Sequence, residues 1–152
     1  MSKHETPMIV EYWKRVGGIL VEEFQLVKGD GDSGPRRADA VIILGQECRR
    51  LPKGQRAVNI DGKDVIVVQA KAQRLGMYLM GQGIFSAELV KRFNPKSVKS
   101  VILCNCGDAI LMPMLAGFPN VTVEIMTLNK VAEHSDLIVE SSAKATTPVG
   151  SC

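Results

Sequence analysis

The chain has 152 residues, of which 45% are hydrophobic and 23% charged, and its formal net charge is +3 at pH 7. That length suits one domain with a substantial core, and that balance is ordinary for a globular protein rather than a disordered or fibrous one. No stretch approaches the ~20 uninterrupted apolar residues of a membrane helix, and the weak positive charge permits a nucleic-acid partner without demanding one.

Met1-Ser2-Lys3-His4-Glu5-Thr6-Pro7 has no signal-peptide apolar region, which points to the cytoplasm. Cys48, Cys104, Cys106 and Cys152 show no pairing pattern, and Cys104-Asn105-Cys106 lacks the two-residue gap of a zinc knuckle. Buried free thiols are the expectation. The only histidines, His4 and His134, lie near the ends, which argues against a histidine-based nucleophile or zinc site.

Pro7 to Arg15 reads as a helix, with Thr6 as N-cap, Pro7 in the first turn and Gly17-Gly18 as the stop. Ile19 to Val27 alternates like a strand. Lys28 to Pro35 is a turn-rich loop. Its Gly29-x-Gly31-x-x-Gly34 string satisfies a dinucleotide-binding pattern, but a strand follows it rather than a helix, and two aspartates would repel a pyrophosphate. Asp30-x-Asp32-x-Gly34 opens like a calcium loop, but Val41 stands where the bidentate glutamate should be. A long hairpin loop fits better than either. A second strand then runs from 37 to 45.

Gln46 to Lys63 is polar and irregular. It holds the densest basic cluster, Arg49-Arg50-Leu51-Pro52-Lys53-Gly54-Gln55-Arg56, which is either a solvated loop or a phosphate contact. Asp61-Gly62 turns the chain into Val65-Ile66-Val67-Val68, a β-branched run typical of a buried strand. A long helix is expected over 73 to 93, with Arg74, Tyr78 and Gln82 spaced as one polar stripe. Asn94-Pro95 stops it. A strand at 97 to 104, a short apolar helix at 108 to 117 and a strand at 121 to 128 complete the pattern. The strand–helix–strand order makes the last two strands parallel. From about 129 the hydrophobic pattern weakens, and 141 to 152 has the composition of a disordered tail. The expected organisation is a single domain over 1 to 128, followed by a C-terminal extension over 129 to 152.

Chemistry gathers at two strands. Gln69 and Lys71 follow the Val65 run and point to one side, because side chains alternate along a strand. Asp39 stands near the start of the preceding apolar strand, where a buried carboxylate needs a cation, a metal or water. If those strands are neighbours, the three converge. A carboxylate and an amide oxygen can hold Mg²⁺ or Mn²⁺, the ion polarises a phosphate and acidifies bound water, and a lysine steadies the water or the developing charge.

Asp39 on one strand, followed by apolar-Gln69-Ala70-Lys71 on the next, resembles the PD-(D/E)xK nuclease superfamily of restriction-endonuclease-like fold. It is most similar to the Mrr-like branch, in which Gln replaces the second acid. The resemblance covers roughly residues 8 to 127, and the Gly-rich acidic loop before Asp39 suits that branch. It implies an α/β fold with a mixed central sheet in the order α-β-β-β-α-β-α-β. It also implies a metal-dependent endonuclease acting on nucleic acid, DNA in particular; since cutting two strands needs two sites, a homodimer would suit that activity. Asp39, Gln69 and the Ala70 carbonyl would hold the metal, and Lys71 would position or activate the water. Gln69 is neutral, so the site has one negative charge fewer than the acidic version.

A further carboxylate is expected. Pairing Val27 with Arg37 places Gln25 opposite Asp39 and Glu23 one pair further along the same face. A one-residue slip substitutes Glu22. Glu11 is the candidate from the first helix, where the family often carries an acid. Each of these is equally readable as a solvated surface carboxylate. Tyr78 and Gln82 are candidate accessories, and Arg36, Arg37, Arg49, Arg50 and Arg74 are candidate nucleic-acid contacts. The same fold could instead serve as a module that binds nucleic acid or protein without cutting.

Overall fold

The computed structural model describes residues 2–55 and 57–127. Arg56 and the expected C-terminal extension lie outside the described residues. Helix α1 (Glu5–Val16) leads into β1 (Ile19–Glu22), β2 (Gln25–Val27), β3 (Arg36–Arg37), β4 (Ala40–Ile43) and β5 (Arg49–Arg50). Then come β6 (Asp64–Arg74), α2 (Met77–Val90), a 3₁₀ turn at Lys91–Phe93, β7 (Ser97–Cys106), a 3₁₀ turn at Met112–Gly117 and β8 (Val121–Ile125).

The main sheet is mixed, in the order β5-β1-β4-β6-β7-β8. β1, β4 and β6 pair antiparallel, and β6, β7 and β8 pair parallel. The central strands are buried on both faces, which is why Val41-Ile42-Ile43 and Val65-Ile66-Val67-Val68 are continuous apolar runs rather than alternating ones. Each such side chain contributes roughly 1.5–3 kcal/mol on leaving water.

Alternation divides the core. Ile42, Ile66, Val68 and Leu103 pack under Met8, Ile9 and Tyr12 of α1. On the other face Val41, Val65 and Val67 pack with Val90, and Ile102 packs with Leu79 and Met80, all three partners from α2. The result is a sheet between two helices, an α/β architecture.

Several boundaries differ from expectation, each for a physical reason. α1 begins at Glu5, two residues before Pro7, because the Ser2 backbone closes its first turn. Ser2 N donates to Glu5 Oε2 at 2.8 Å, and the Ser2 carbonyl accepts from Glu5 N at 3.3 Å. The strand expected over 19 to 27 is broken at Glu23, whose φ of 51° lies in the left-handed region. β2 then leaves the main sheet and pairs with β3 in a two-stranded ribbon, Gln25 opposite Arg37 and Val27 opposite Arg36. The expected pairing of Val27 with Arg37 is therefore shifted, and it is Glu23 rather than Gln25 that meets Asp39.

β6 runs on to Arg74, so α2 starts at Met77 instead of 73. Arg74 is consequently a strand residue, paired with Cys106 across a bulge, and does not share a helical stripe with Tyr78 and Gln82. Gly83 explains itself: a Cβ there would lie 2.5 Å from the Ile102 side chain, so glycine is what lets α2 approach β7. Of the region expected as a helix over 108 to 117, only Met112–Gly117 is helical, as a 3₁₀ turn, consistent with Pro113 removing a backbone donor. Cys104 and Cys106 carry free thiols, Cys104 buried as expected and Cys106 exposed. No helix among the described residues is long and apolar enough to cross a membrane.

Candidate functional site on β6

Asp39 immediately precedes β4 and is half-buried. Its Oδ2 accepts a hydrogen bond from Ala70 N at 2.8 Å, and its carbonyl accepts one from Glu23 N at 2.8 Å. The carboxylate is thus pinned to the strand that carries Gln69 and Lys71. Burial pushes the Asp39 carboxyl above the usual range; the Ala70 N–H opposes that shift, the nearby Glu5 carboxylate reinforces it, and Lys71 opposes it.

Glu5 is the residue that the sequence reading missed. It sits in the first turn of α1 and is buried, with Oε1 3.3 Å from Lys71 Nζ. Burial pushes its carboxyl up, but the hydrogen bonds from Ser2 and Lys71 outweigh burial and hold it below the ordinary range. The available signal was Ser2-x-x-Glu5, the spacing of a capping box, in which the acid three residues on reaches back to a backbone N–H. Pro7, a strong first-turn residue, masks that signal along the chain and leaves Glu5 outside the expected helix.

Lys71 reaches α1 for a topological reason. In register, Ala40 pairs with Val68, so Lys71 would stand opposite Arg37. Arg37, however, has left the main sheet for the β2–β3 ribbon. With no strand on that flank, the Lys71 side chain is free to extend to Glu5, and it remains 41% exposed.

Gln69 takes a different direction. It is 2% exposed, and its Nε2 donates to Ser86 Oγ of α2 at 2.7 Å. The structure therefore brings Asp39, Lys71 and Glu5 to one place, while the Gln69 amide is anchored to the helix beneath the sheet.

The other expected carboxylates fall elsewhere. Glu11 is exposed on α1 and forms no hydrogen bond or ion pair among the described residues, so the helix acid beside Lys71 is Glu5 instead. Glu22 is buried, but both its oxygens accept from Arg50, at 2.8 and 2.9 Å. The Glu22 partner raises the Arg50 guanidinium above its ordinary value against the opposing effect of burial. Glu23 sits at the kink, lining a small cleft with Glu22, Thr6 and Lys53.

The basic residues divide similarly. Arg50 is occupied by Glu22, and Arg49 lies 3.8 Å from Glu47. Arg36 is exposed and bonded to its own loop at Ser33 and Gly34, and Arg37 is exposed beside it. Arg74 is exposed, with one long contact to the Gly107 carbonyl. Tyr78 is exposed on α2, and Gln82 is half-buried there.

A hard cation such as Mg²⁺ takes one or two carboxylates and completes its shell with water and substrate phosphate. Asp39 and Glu5 are the carboxylates beside Lys71 that such an ion would use, with Asp39 Oδ2 held by Ala70 N and the two Glu5 oxygens by Ser2 N and Lys71. Among the described residues no group of three His, Cys, Asp or Glu side chains could hold a metal by itself. Sulfur nucleophile chemistry has little support, since burial pushes the Cys104 thiol up and thus keeps it protonated. Comparison with protein-family models, curated proteins and solved structures finds no match to this chain.

Proposed function

We propose that this chain is a divalent-metal-dependent nuclease of the restriction-endonuclease-like type, hydrolysing phosphodiester bonds of nucleic acid, with DNA the expected substrate. The observation that carries the reading is the meeting of Asp39, held by the Ala70 N–H, with the Glu5–Lys71 pair beside the second half of β6. The antiparallel β1-β4-β6 set, continued by parallel β7 and β8, supports the same reading.

Asp39, Glu5 and the Ala70 carbonyl would hold Mg²⁺ or Mn²⁺, with Gln69 behind them. Such an ion, when bound, polarises the phosphate and acidifies water. The Ala70 N–H keeps Asp39 oriented and bears part of its charge. Lys71 holds its ammonium 3.3 Å from Glu5 and would stabilise negative charge developing on a phosphate seated beside it. The protein would act as a homodimer where both strands of a duplex are cut.

The test is cleavage of labelled single-stranded and duplex DNA and RNA in Mg²⁺, in Mn²⁺ and in EDTA. The wild-type chain should cleave only with metal, and Lys71→Ala, Asp39→Ala and Glu5→Gln should not cleave. Undiminished cleavage by Lys71→Ala would refute the mechanism. One observation favours a second reading, a module that binds nucleic acid without cutting: the neutral Gln69 is turned to Ser86 and leaves the site with two carboxylates. Binding that falls steeply with salt, with no cleavage in any divalent metal, would select that module.

A further inference from the structure

A groove of about 770 Å³ lies between α2 and the β2–β3 ribbon. Arg36 and Arg37 stand on one wall, Tyr78, Gln82 and Phe85 on the other, and Gln69 is in the lining. Tyr78 is 77% exposed and Phe85 68% exposed. Seven residues separate them, two helical turns and roughly 10 Å along α2, so both rings face the same side. Large aromatic rings left in water beside a groove are costly unless something covers them.

The chemistry of the lining chooses the occupant. It includes no acidic residue. Neither Arg36 nor Arg37 forms an ion pair among the described residues, so two positive charges border the groove unneutralised. Gln69 Oε1 accepts no hydrogen bond from the described residues although the side chain is buried. An apolar helix or a second copy of this chain would bury the guanidinium charges without compensation. A single-stranded polynucleotide suits the exposed features together: bases stack on Tyr78 and Phe85, phosphates meet Arg36 and Arg37, and a base edge reaches the half-buried Gln82 amide. A duplex keeps its bases stacked on one another and offers no ring faces to the helix.

We infer that this groove binds single-stranded nucleic acid, with two bases stacked on α2. The inference rests on the nuclease reading and deepens it.

The test measures binding and not cleavage. Labelled single-stranded DNA, single-stranded RNA and duplex DNA are titrated with the full chain in EDTA and followed by fluorescence anisotropy. Single strands should bind more tightly than the duplex, and the DNA and RNA arms identify the preferred sugar. Tyr78→Ala and Phe85→Ala should each weaken single-strand binding about tenfold, and Tyr78→Trp should retain it. Arg36→Ala and Arg37→Ala should each lower the salt dependence by about one counterion. Both rings are on the surface, and circular dichroism verifies that the variants fold.

Single-strand affinity unchanged in both aromatic variants, or duplex preferred over single strand, overturns the proposal. A change in sedimentation mass without a change in binding also overturns it and makes the patch an interface between copies. The two readings fail separately. Ring-dependent binding without cleavage removes the nuclease and leaves the groove, whereas cleavage with ring-independent binding does the reverse.

Discussion

Ser86→Ala isolates what holds Gln69 in place. Gln69 is 2% exposed and Ser86 5% exposed, so water does not replace the lost hydroxyl freely. The 2.7 Å bond from Gln69 Nε2 disappears, and a buried amide donor is left without its acceptor. An unsatisfied neutral donor costs about 1–3 kcal/mol, more than the net worth of the bond itself. For a chain of this size each kcal/mol lowers the melting temperature by about 2–4 °C, so a fall of roughly 2–12 °C is expected. Thermal unfolding followed by circular dichroism at neutral pH reads it. The double variant Gln69→Met with Ser86→Ala should recover most of the loss, because both polar partners are removed together and the shape is nearly kept. The reasoning fails if Ser86→Ala melts within 1 °C of the wild type, or if the double variant is no more stable than the single one.

Three further outcomes follow from the site and the helix above it. Burial raises the Asp39 carboxyl above 3.8, so its contribution to stability is present below that value and is lost as pH rises through the raised one. Asp39→Asn should therefore abolish cleavage while matching or exceeding wild-type stability at pH 7, and denaturant unfolding from pH 3 to 7 should show the gap opening with pH. A marked loss of stability at pH 7 would make Asp39 a structural ion partner instead. Glu5 behaves in the opposite sense: its lowered value means stability present above 4.5 and lost as pH falls through that lowered value, so Glu5→Gln should destabilise at pH 7 and converge on the wild type in acid. In α2, Gly83→Ala should destabilise by about 1–3 kcal/mol because its Cβ would lie 2.5 Å from Ile102. Gly81→Ala meets nothing within 4 Å and should stabilise by about 1 kcal/mol, and chemical denaturation of the pair measures the contrast.

The elements were legible where the pattern was local and strong. Val65-Ile66-Val67-Val68 could hardly be anything but a central strand, and Asn94-Pro95 and Gly17-Gly18 ended their helices where expected. Boundaries slipped where tertiary contacts outweighed local preference. β6 continues through Ala72 to Arg74 because β7 is there to pair with it, although those residues alone read as a helix start. The β1–β2 strand breaks at Glu23 because the ribbon turns away from the sheet, and alternation in 19 to 27 carries no trace of that turn.

The site divides in the same way. That Asp39 and the Gln69–Lys71 stretch lie on neighbouring strands was visible in the sequence by itself, since two adjacent apolar strands bring Asp39 to Ala70, but alternation wrongly put the Gln69 and Lys71 side chains together: Gln69 turns to α2 and Lys71 to α1. The sequence alone also determined the α/β class, the buried central strands and the absence of a long apolar segment. The tertiary structure decided which partners those side chains found. Glu5 reaches Lys71 only because the ribbon leaves β6 with an open flank, Gln69 is claimed by Ser86 seventeen residues away, and Arg50 is drawn from the basic cluster by Glu22 twenty-eight residues away. Alternation and propensity are set by neighbours along the chain, but a hydrogen bond or ion pair depends on where a distant segment arrives.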